Sequence, residues 1–512
     1  MLKEGDKAGI LLCGVTSAFK LQPSAVPYLT SVGLEVHAQL LTSTKIFCAC
    51  STAFGEPPNT NVCPVCLGYP GALPVLNRRA VELAARAALA LGCTVHPVSL
   101  FARKHYFYPD LPKGYQISQH ARPFATDGHV VVEGQDAPRT IRIARLHMEE
   151  DAGKSLHIEA CRAEAEGEGE GRGAHTGIDF NRSGVPLIEI VTAPDIDSAE
   201  LAAACFSRIR EVLVAIGAND GNMEEGSLRC DANVSVRSSP DAPLGVKTET
   251  KNINSFRYVQ RALQFEIDRQ VALLSGGHRV EQETRLWDSA TGKTVSMRGK
   301  EEAHDYRYLP EPDLPPLAID ADWLESLRGR MPELPEERRA RLIDAYGLPA
   351  YDAGVLTQSR ALADYFEETA AASGNWKAAS NWVMVEVLGR LNAAGMDIRD
   401  IRLTPQALGG LIRLVDSGRI TGPTAKQVFE RLFAEGGTAE AIVDAEGLAR
   451  VDDEAAIEAL VRETLAANPR PVEQYRAGRK QTFGFLVGQV MKASGGKADP
   501  EKVARYVRQL LE

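Results

Sequence analysis

Reactive side chains are missing from the far end of this 512-residue chain: no cysteine follows Cys230 and no histidine follows His304. Metal-ligating or nucleophilic chemistry is thereby confined to the part before that point. An excess of positive charge is also missing. The 58 basic residues face 68 acidic ones, a formal net charge of −10, which excludes a nucleic-acid partner held by diffuse charge and leaves room only for a local basic patch. No apolar run approaches the roughly 18 residues of a membrane span, and residues 10–15 are too short and too weakly flanked for a signal peptide. A cytoplasmic protein with no membrane partner is expected. The nine cysteines are odd in number and four are clustered. That excludes a disulfide framework and points to a reducing compartment with a metal site. At 44% hydrophobic residues the chain is no disordered segment.

Strand-like alternation begins at Leu34, Val36, Ala38 and Leu40, with Glu35, His37 and Gln39 between them. Short strands are also expected over 141–148, 184–192, 227–237 and 245–251. Three amphipathic helices accompany them. Asn77 opens the first, Asp197 with Glu200 forms a capping box for the second, and Asn254 or Ser255 caps the third. Cys205 falls on the apolar face of the second helix and reads as core. The pattern predicts an α+β domain over 30–316, with a sheet of mixed and antiparallel strands. Residues 1–29 form an N-terminal extension without sustained periodicity, and the low-complexity acidic, glycine-rich run 162–173 reads as a solvated loop. The proline run 309–316 marks the exit from the domain. Beyond it lie a helical connector over 317–403 and a helical tail over 404–512, with glycine turns near 409–410, 417–422, 436–437 and 495–496.

The strongest local motif is Cys48-x-Cys50, followed after twelve residues by Cys63-x-x-Cys66. Two close thiolate pairs across a turn suit tetrahedral zinc, and four thiolates close its coordination shell, so the metal would be structural. An iron–sulfur cluster or four unligated thiols are the alternatives. Two Gly-Lys-Ser/Thr triplets (Gly153-Lys154-Ser155 and Gly292-Lys293-Thr294) are not phosphate loops, because Met148 and Trp287 stand where the glycine is required.

Carboxylates carry more information. Glu35 and His37 are two apart on one strand and share a face. Glu149, Glu150 and Asp151 end another strand. Glu189 interrupts the apolar run Pro186–Val191 and needs a partner or a cation, because burying a bare carboxylate is costly. Glu224, Glu225 and Asp231 repeat the theme. Taken singly, His37 reads as a satisfied sheet histidine, the paired glutamates as solvated faces and Glu189 as half of an ion pair. Taken together they suit a hard divalent cation with bound phosphate. The loop 106–119, rich in aromatics and broken by proline, could line a pocket with Lys113 facing an anion.

Long stretches resemble one family. These are Gly33–His37, Tyr106–Gln119, Leu146–Lys154, Pro186–Val191, Met223–Asp231, Lys251–Phe256, Asp305–Tyr308 and Gly484–Lys492. Over roughly residues 30–512 the chain is similar to the B-subunit (GatB/GatE) family of the aspartyl/glutamyl-tRNA(Asn/Gln) amidotransferases. The resemblance implies a ligase component in a heterotrimer with an amidase (A) subunit and a small C subunit. It implies use of ATP and Mg2+ to phosphorylate the side-chain carboxylate of Glu-tRNA(Gln), Asp-tRNA(Asn) or both, followed by amidation with ammonia from the partner. The chain shows no serine–lysine amidase stretch of its own.

By the same resemblance Glu35, His37, Glu150 and Glu189 form the catalytic magnesium site, Lys113 and Tyr115 contact nucleotide or substrate, and Cys48, Cys50, Cys63 and Cys66 hold structural Zn2+. The tail resembles a YqeY-like tRNA-binding domain. Residues 471–512 hold eight basic residues against four acidic ones, with Arg479, Lys480, Lys492 and Lys497 as the expected tRNA contacts. Residues 1–25 exceed the family's usual start. The competing reading is a non-catalytic, zinc-containing tRNA-binding component, which would have no use for the Glu35–His37–Glu150–Glu189 set.

Overall fold

The computed structural model describes residues 28–134, 137–158, 175–299, 306–450, 454–495 and 497–511. The glycine-rich insert 162–173 and all but the last two residues of the expected N-terminal extension lie outside the described residues. The chain forms two compact units, Met1–Pro332 and Glu333–Glu512.

The strands of the first unit begin with β1 (Leu29–Gln39), β2 (Thr94–Val95), β3 (Val98–Ser99), β4 (Ala102–His105), β5 (Tyr115–Ser118), β6 (Ala125–Val132), β7 (Arg139–Glu150) and β8 (Lys154–Ile158). They continue with β9 (His175–Asp179), β10 (Pro186–Thr192), β11 (Leu228–Arg237), β12 (Thr248–Ile253), β13 (Glu283–Asp288), β14 (Lys293–Gly299), β15 (Leu309–Pro310) and β16 (Leu317–Ala318). The helices are α1 (Arg78–Ala90), α2 (Ala199–Ala215), α3 (Phe256–Ser275) and α4 (Ala321–Arg328). Nine strands form one sheet in the order β14-β13-β12-β11-β1-β10-β7-β6-β2. Its long central pairs are antiparallel and β12–β13 is parallel. This is an α+β architecture.

Alternation along β1 divides the sheet into two faces. Val32, Leu34, Val36 and Ala38 are fully buried on one, where α2 packs on β1 and β6 and α3 on β11 and β12. Glu35, His37 and Gln39 stand on the other, which is where polar side chains collect. The helices start as local chemistry requires. Asn77 Oδ1 accepts from Arg79 N at 2.8 Å, and Ser255 Oγ from Tyr258 N at 3.1 Å. At α2 the cap is one residue later than expected: Ser198 Oγ accepts from Leu201 N at 3.2 Å, because Asp197 is engaged by Arg139 Nη1 at 2.9 Å.

The proline run is no domain boundary. Leu309 and Pro310 pair with Arg103 and Ala102, the Arg103 guanidinium forks onto Glu311 at 2.8 Å twice, and Leu317–Ala318 pair with Ser99 and Val98. These ties, made in two small sheets apart from the nine-stranded one, keep the segment within the first unit and move the break to Pro332.

Beneath β12 and β14, the fully buried carboxylate of Glu266 gathers Arg269 at 2.5 Å and Arg285 at 3.2 Å. It also accepts from Thr248 at 2.8 Å and Thr294 at 3.1 Å. Glu266→Gln should leave two arginines under-compensated and destabilise the chain by about 3–5 kcal/mol, read as a lowered urea midpoint.

The second unit is helical. Its first core joins α5 (Pro335–Asp344), α6 (Ala350–Leu356), α7 (Arg360–Ser373), α8 (Trp376–Asn381), a π-helical turn over Trp382–Val387, α9 (Leu388–Ala394), α10 (Pro405–Asp416), α11 (Gly422–Glu435) and α12 (Ala439–Ala445). A second core, from Ile457 to Leu511, is made by α13 (Glu454–Ala467), α14 (Pro469–Arg476), α15 (Thr482–Ala493) and α16 (Pro500–Leu511). Residues 404–448 therefore pack with the connector and not with the tail, contrary to the boundary expected at 403/404. The glycines expected to make a turn at 409–410 lie inside α10. A Cβ at Gly409 would meet the Ala372 Cβ at 2.5 Å, so glycine here lets α10 approach α7 closely.

Candidate functional site

Register decides which side chains meet on the polar face of the sheet. His37 lies opposite Glu189 across β1–β10, and Glu189 opposite His147 across β10–β7. His37 Nε2 is 3.4 Å and His147 Nε2 3.5 Å from the same Glu189 oxygen, Oε2. Glu149, two residues beyond His147 on the same face, approaches His147 Nε2 to 3.9 Å. His147, Glu149 and Glu189 are all buried, and each offers a ligand atom within 4.8 Å of the others. Two atoms of this cluster, His147 Nδ1 and Glu149 Oε2, are buried without a hydrogen-bond partner. Buried polar atoms are rarely left so, and unpaired carboxylate and imidazole atoms in one cluster are donors suited to a hard cation.

Charge around the cluster is balanced from one side. Burial alone would raise the pKa of Glu189, but His147, His37 and Lys104 outweigh it and hold the carboxyl well below its usual range. Glu149 is likewise lowered against its burial, by Lys104 and His147. Burial works against charging His37, yet the Glu189 carboxylate prevails and its pKa lies above the ordinary value. Lys104 is held charged against burial by Glu149 and Glu189. Its ammonium stands 5.1 Å from the Tyr306 ring centroid and 6.0 Å from that of Tyr106. Tyr106 donates to Gln116 Oε1 at 2.7 Å, and Gln116 Nε2 donates to Glu149 Oε1 at 3.0 Å. Further along the face, Asp151 takes Arg229 at 3.0 Å and Gln39 at 2.8 Å, and Asp231 takes Lys251 at 2.7 Å.

Of the four residues expected to share one site, His37 and Glu189 meet directly. Glu35 is on the same face, but Asn233 Nδ2 holds its carboxylate at 2.8 Å and it lies outside the tight cluster. Glu150 is not on this face. Alternation along β7 turns it away from His147 and Glu149, and its carboxylate accepts from Ile117 N at 2.8 Å and pairs with the Lys113 ammonium. Glu149 stands where Glu150 was expected. Parity was the available signal, since Arg145, His147 and Glu149 alternate with Leu146, Met148 and Glu150. The turn residues Glu224 and Glu225 are at the surface and donate their amides to Asn222.

Lys113 and Tyr115 line a separate polar cavity of about 190 Å3 with Glu150, Arg103 and Glu311. One wall of that cavity is the cysteine loop. The sulfurs of Cys48, Cys50, Cys63 and Cys66 lie within 4.8 Å of one another; zinc–sulfur bonds of about 2.3 Å imply sulfur separations of about 3.8 Å, and Cys63 and Cys66 Sγ are 3.9 Å apart. Cys66 Sγ also accepts from Cys63 N at 3.1 Å. Hydrogen bonding to Cys48, against burial and with help from Lys45, lowers the Cys66 thiol to about 4. The fully buried Lys45 ammonium sits 3.6 Å from Cys66 Sγ and donates to Asn61 O at 2.7 Å and Phe180 O at 3.3 Å. A buried cation against four clustered cysteine sulfurs fits a four-cysteine metal site. Gly68 (φ +72°) ties this loop to Lys113, because a Cβ there would lie 2.3 Å from Lys113 Cγ and 3.2 Å from its Cα.

The basic residues of the tail spread along one helix. Arg479 and Lys480 are exposed just before α15 and Lys492 is in its last turn, about 18 Å apart at about 1.5 Å per residue; Lys497 is half-buried beyond it. Between them the exposed stripe of α15 is Gly484, Phe485 and Gly488, with the Phe485 ring half exposed. No described helix is long and apolar enough to cross a membrane.

Comparison with known proteins covers both units. Residues 30–325 match the family model described as the GatB/GatE catalytic domain, and residues 364–511 match that described as the GatB domain. Similar relatives include the aspartyl/glutamyl-tRNA(Asn/Gln) amidotransferase B subunit of Thermodesulfovibrio yellowstonii, 51% identical over 485 residues, 95% of this chain and 99% of the relative. Its namesake in Moorella thermoacetica is 52% identical over 484 residues, 94% of this chain and 100% of the relative.

Proposed function

The chain belongs to the GatB/GatE family, and from that premise we propose that it activates and amidates the side-chain carboxylate of glutamate on tRNA(Gln), aspartate on tRNA(Asn), or both. It does so as the ATP-consuming component of an amidotransferase, with ammonia from a partner amidase and a small third protein in the complex. A carboxylate has no leaving group for an amine to displace. Attack of its oxygen on the γ-phosphorus of ATP releases ADP and leaves an acyl phosphate; attack of ammonia on the acyl carbon then expels phosphate and, after loss of a proton, gives the amide.

The observation that carries this reading is the buried His147–Glu149–Glu189 cluster, with two polar atoms lacking partners, beside His37 on an open polar sheet face. These residues would hold Mg2+, which when bound neutralises charge on the phosphate oxygens. His37 braces Glu189 from β1, and Glu35 extends the acidic face toward the nucleotide. Lys104, charged and seated against Tyr106 and Tyr306, offers its ammonium to the phosphoryl group or the substrate carboxylate. Lys113 and Tyr115 act from the other side of β7, where Lys113 offsets Glu150 and any substrate contact is made from the cysteine-loop cavity. Zn2+ on Cys48, Cys50, Cys63 and Cys66 shapes that wall and takes no part in the chemistry.

The exposed stripe of α15, two glycines flanking Phe485 between Arg479–Lys480 and Lys492, with Lys497 beyond, suits close approach of a sugar–phosphate backbone and stacking of one base. Phe485→Ala is expected to raise the KM for aminoacyl-tRNA about tenfold, within the ~1–3 kcal/mol of one stacked base, with kcat unchanged. The reading as a whole is tested with the purified complex, ATP, Mg2+, ammonium chloride and Glu-tRNA(Gln). Stoichiometric ADP and Gln-tRNA(Gln) are expected, and amide formation without ATP would refute it.

A further inference from the structure

An arginine at the edge of the buried cluster has no acceptor in the protein. Arg145 precedes His147 by two residues on β7 and stands on the same face. Its cross-strand neighbours are Val191 on β10 and Thr126 on β6. Val191 is apolar, and the Thr126 hydroxyl is engaged by Asp127 at 2.7 Å and His96 at 3.1 Å. The ion pair Arg145 makes is loose: its Nη2 stands 3.9 Å from Glu189 Oε1, beyond hydrogen-bond distance. Its Nε is buried without a partner, and among the described residues the guanidinium donates no hydrogen bond.

Other arginines on these strands are taken up by aspartates. Arg142 forks onto Asp195 at 2.8 and 2.6 Å, and Arg229 holds both oxygens of Asp151 at 3.0 Å. Buried donors are rarely left without acceptors, and the Arg145 side chain, 39% exposed, is open to a ligand. Positive charge is in excess at this edge: burial, Arg145, His147 and Lys104 together hold the exposed His120 imidazole below its ordinary pKa.

Shape says which anion fits. A guanidinium presents a planar fork that matches the two oxygens of a carboxylate. Glu189, a residue suited to hold Mg2+, is the neighbour of the fork, so an anion seated there lies beside the position of bound phosphate. In the proposed reaction the group required at that point is the side-chain carboxylate of the aminoacyl ester, ionised and with a lone pair free to attack phosphorus.

We propose that Arg145 receives this carboxylate through both oxygens and is the residue by which the site tells substrate from product. The inference rests on the amidotransferase reading. It leaves Lys104, already set against Glu149 and Glu189, for the phosphoryl group. The product amide offers the fork one acceptor and one NH2 donor in place of two acceptors. One guanidinium N–H then meets another donor, and a donor left unsatisfied in this way favours release.

The test measures binding of Glu-tRNA(Gln) and Gln-tRNA(Gln) to the assembled complex, with Mg2+ and a non-hydrolysable ATP analogue present so that neither turns over. The two ligands differ only in the side-chain carboxylate and amide, so a merely structural role of Arg145 would not move their ratio. The unmodified complex is expected to prefer Glu-tRNA(Gln) at least tenfold. In Arg145→Gln the preference should fall below twofold while the Kd for Gln-tRNA(Gln) stays within twofold of the unmodified value. Arg145→Lys, which keeps the charge and cannot fork, should show an intermediate preference. A full preference in Arg145→Gln overturns the proposal, as does the absence of any preference in the unmodified complex. Equal weakening of both ligands also overturns it, giving Arg145 to a tRNA phosphate. Failure of the unmodified complex to bind either aminoacyl-tRNA would instead sink the amidotransferase reading itself.

Discussion

Glu189→Gln is expected to lower the rate of amide formation by about 10²–10³-fold, the loss typical of removing one preorganised electrostatic partner at a developing charge. The affinity of the complex for tRNA should change little. The reasoning lies in the partners: one oxygen of Glu189 faces both His37 and His147, and these with Lys104 outweigh burial to keep it ionised. A neutral amide keeps the shape and removes the charge, so both histidines lose their anion and the cluster keeps a single carboxylate, Glu149. Adding Mg2+ should partly restore the rate if the defect is in cation affinity. A variant that forms amide at the unmodified rate would remove Glu189 from the mechanism.

The cysteine site gives the second large effect. The purified protein is expected to carry one zinc per chain, and Cys66→Ala to lose it. Structural zinc contributes apparent binding energies of about 10–16 kcal/mol to the folds it holds. The loss should therefore unfold the loop locally, exposing it to proteolysis between Cys48 and Asn77. Lys45 makes the change worse than a missing ligand, because its buried ammonium would keep the carbonyls of Asn61 and Phe180 and lose its anionic partner. The wall beside Lys113 should go with it. Metal analysis finding no stoichiometric zinc in protein purified without chelator would refute the assignment.

Local chemistry was legible in the sequence where one element is enough to express it. The alternation of β1, the caps at Asn77 and Ser255, the core position of Cys205 and the cysteine spacing all follow from residues close in the chain. What needed the structure was pairing. Nothing near His37 says that its cross-strand neighbour is Glu189, or that Glu189 continues to His147, because register is fixed by the whole sheet. Parity along β7 would have separated Glu149 from Glu150 had the strand been carried through to residue 150; ended at 148, the pair reads as an undivided acidic cluster. The proline run misled because it breaks regular structure without leaving the first unit, and Gly409–Gly410 because close helix packing and turns use the same residue. Lys104 carries no local signature and becomes visible only through what it faces.

The position of β1 has a consequence for how the protein is made. It is the first described strand, yet its two neighbours in the sheet are β10 and β11, which leave the ribosome only after residues 192 and 237. Until then its apolar edge has no native partner, and no nascent fragment shorter than that can contain even the His37–Glu189 pair. Contacts so distant in sequence slow folding and lengthen the exposure of unpaired strand surface. Synthesis of this chain should therefore depend on chaperone protection of its N-terminal half, and truncated products should aggregate.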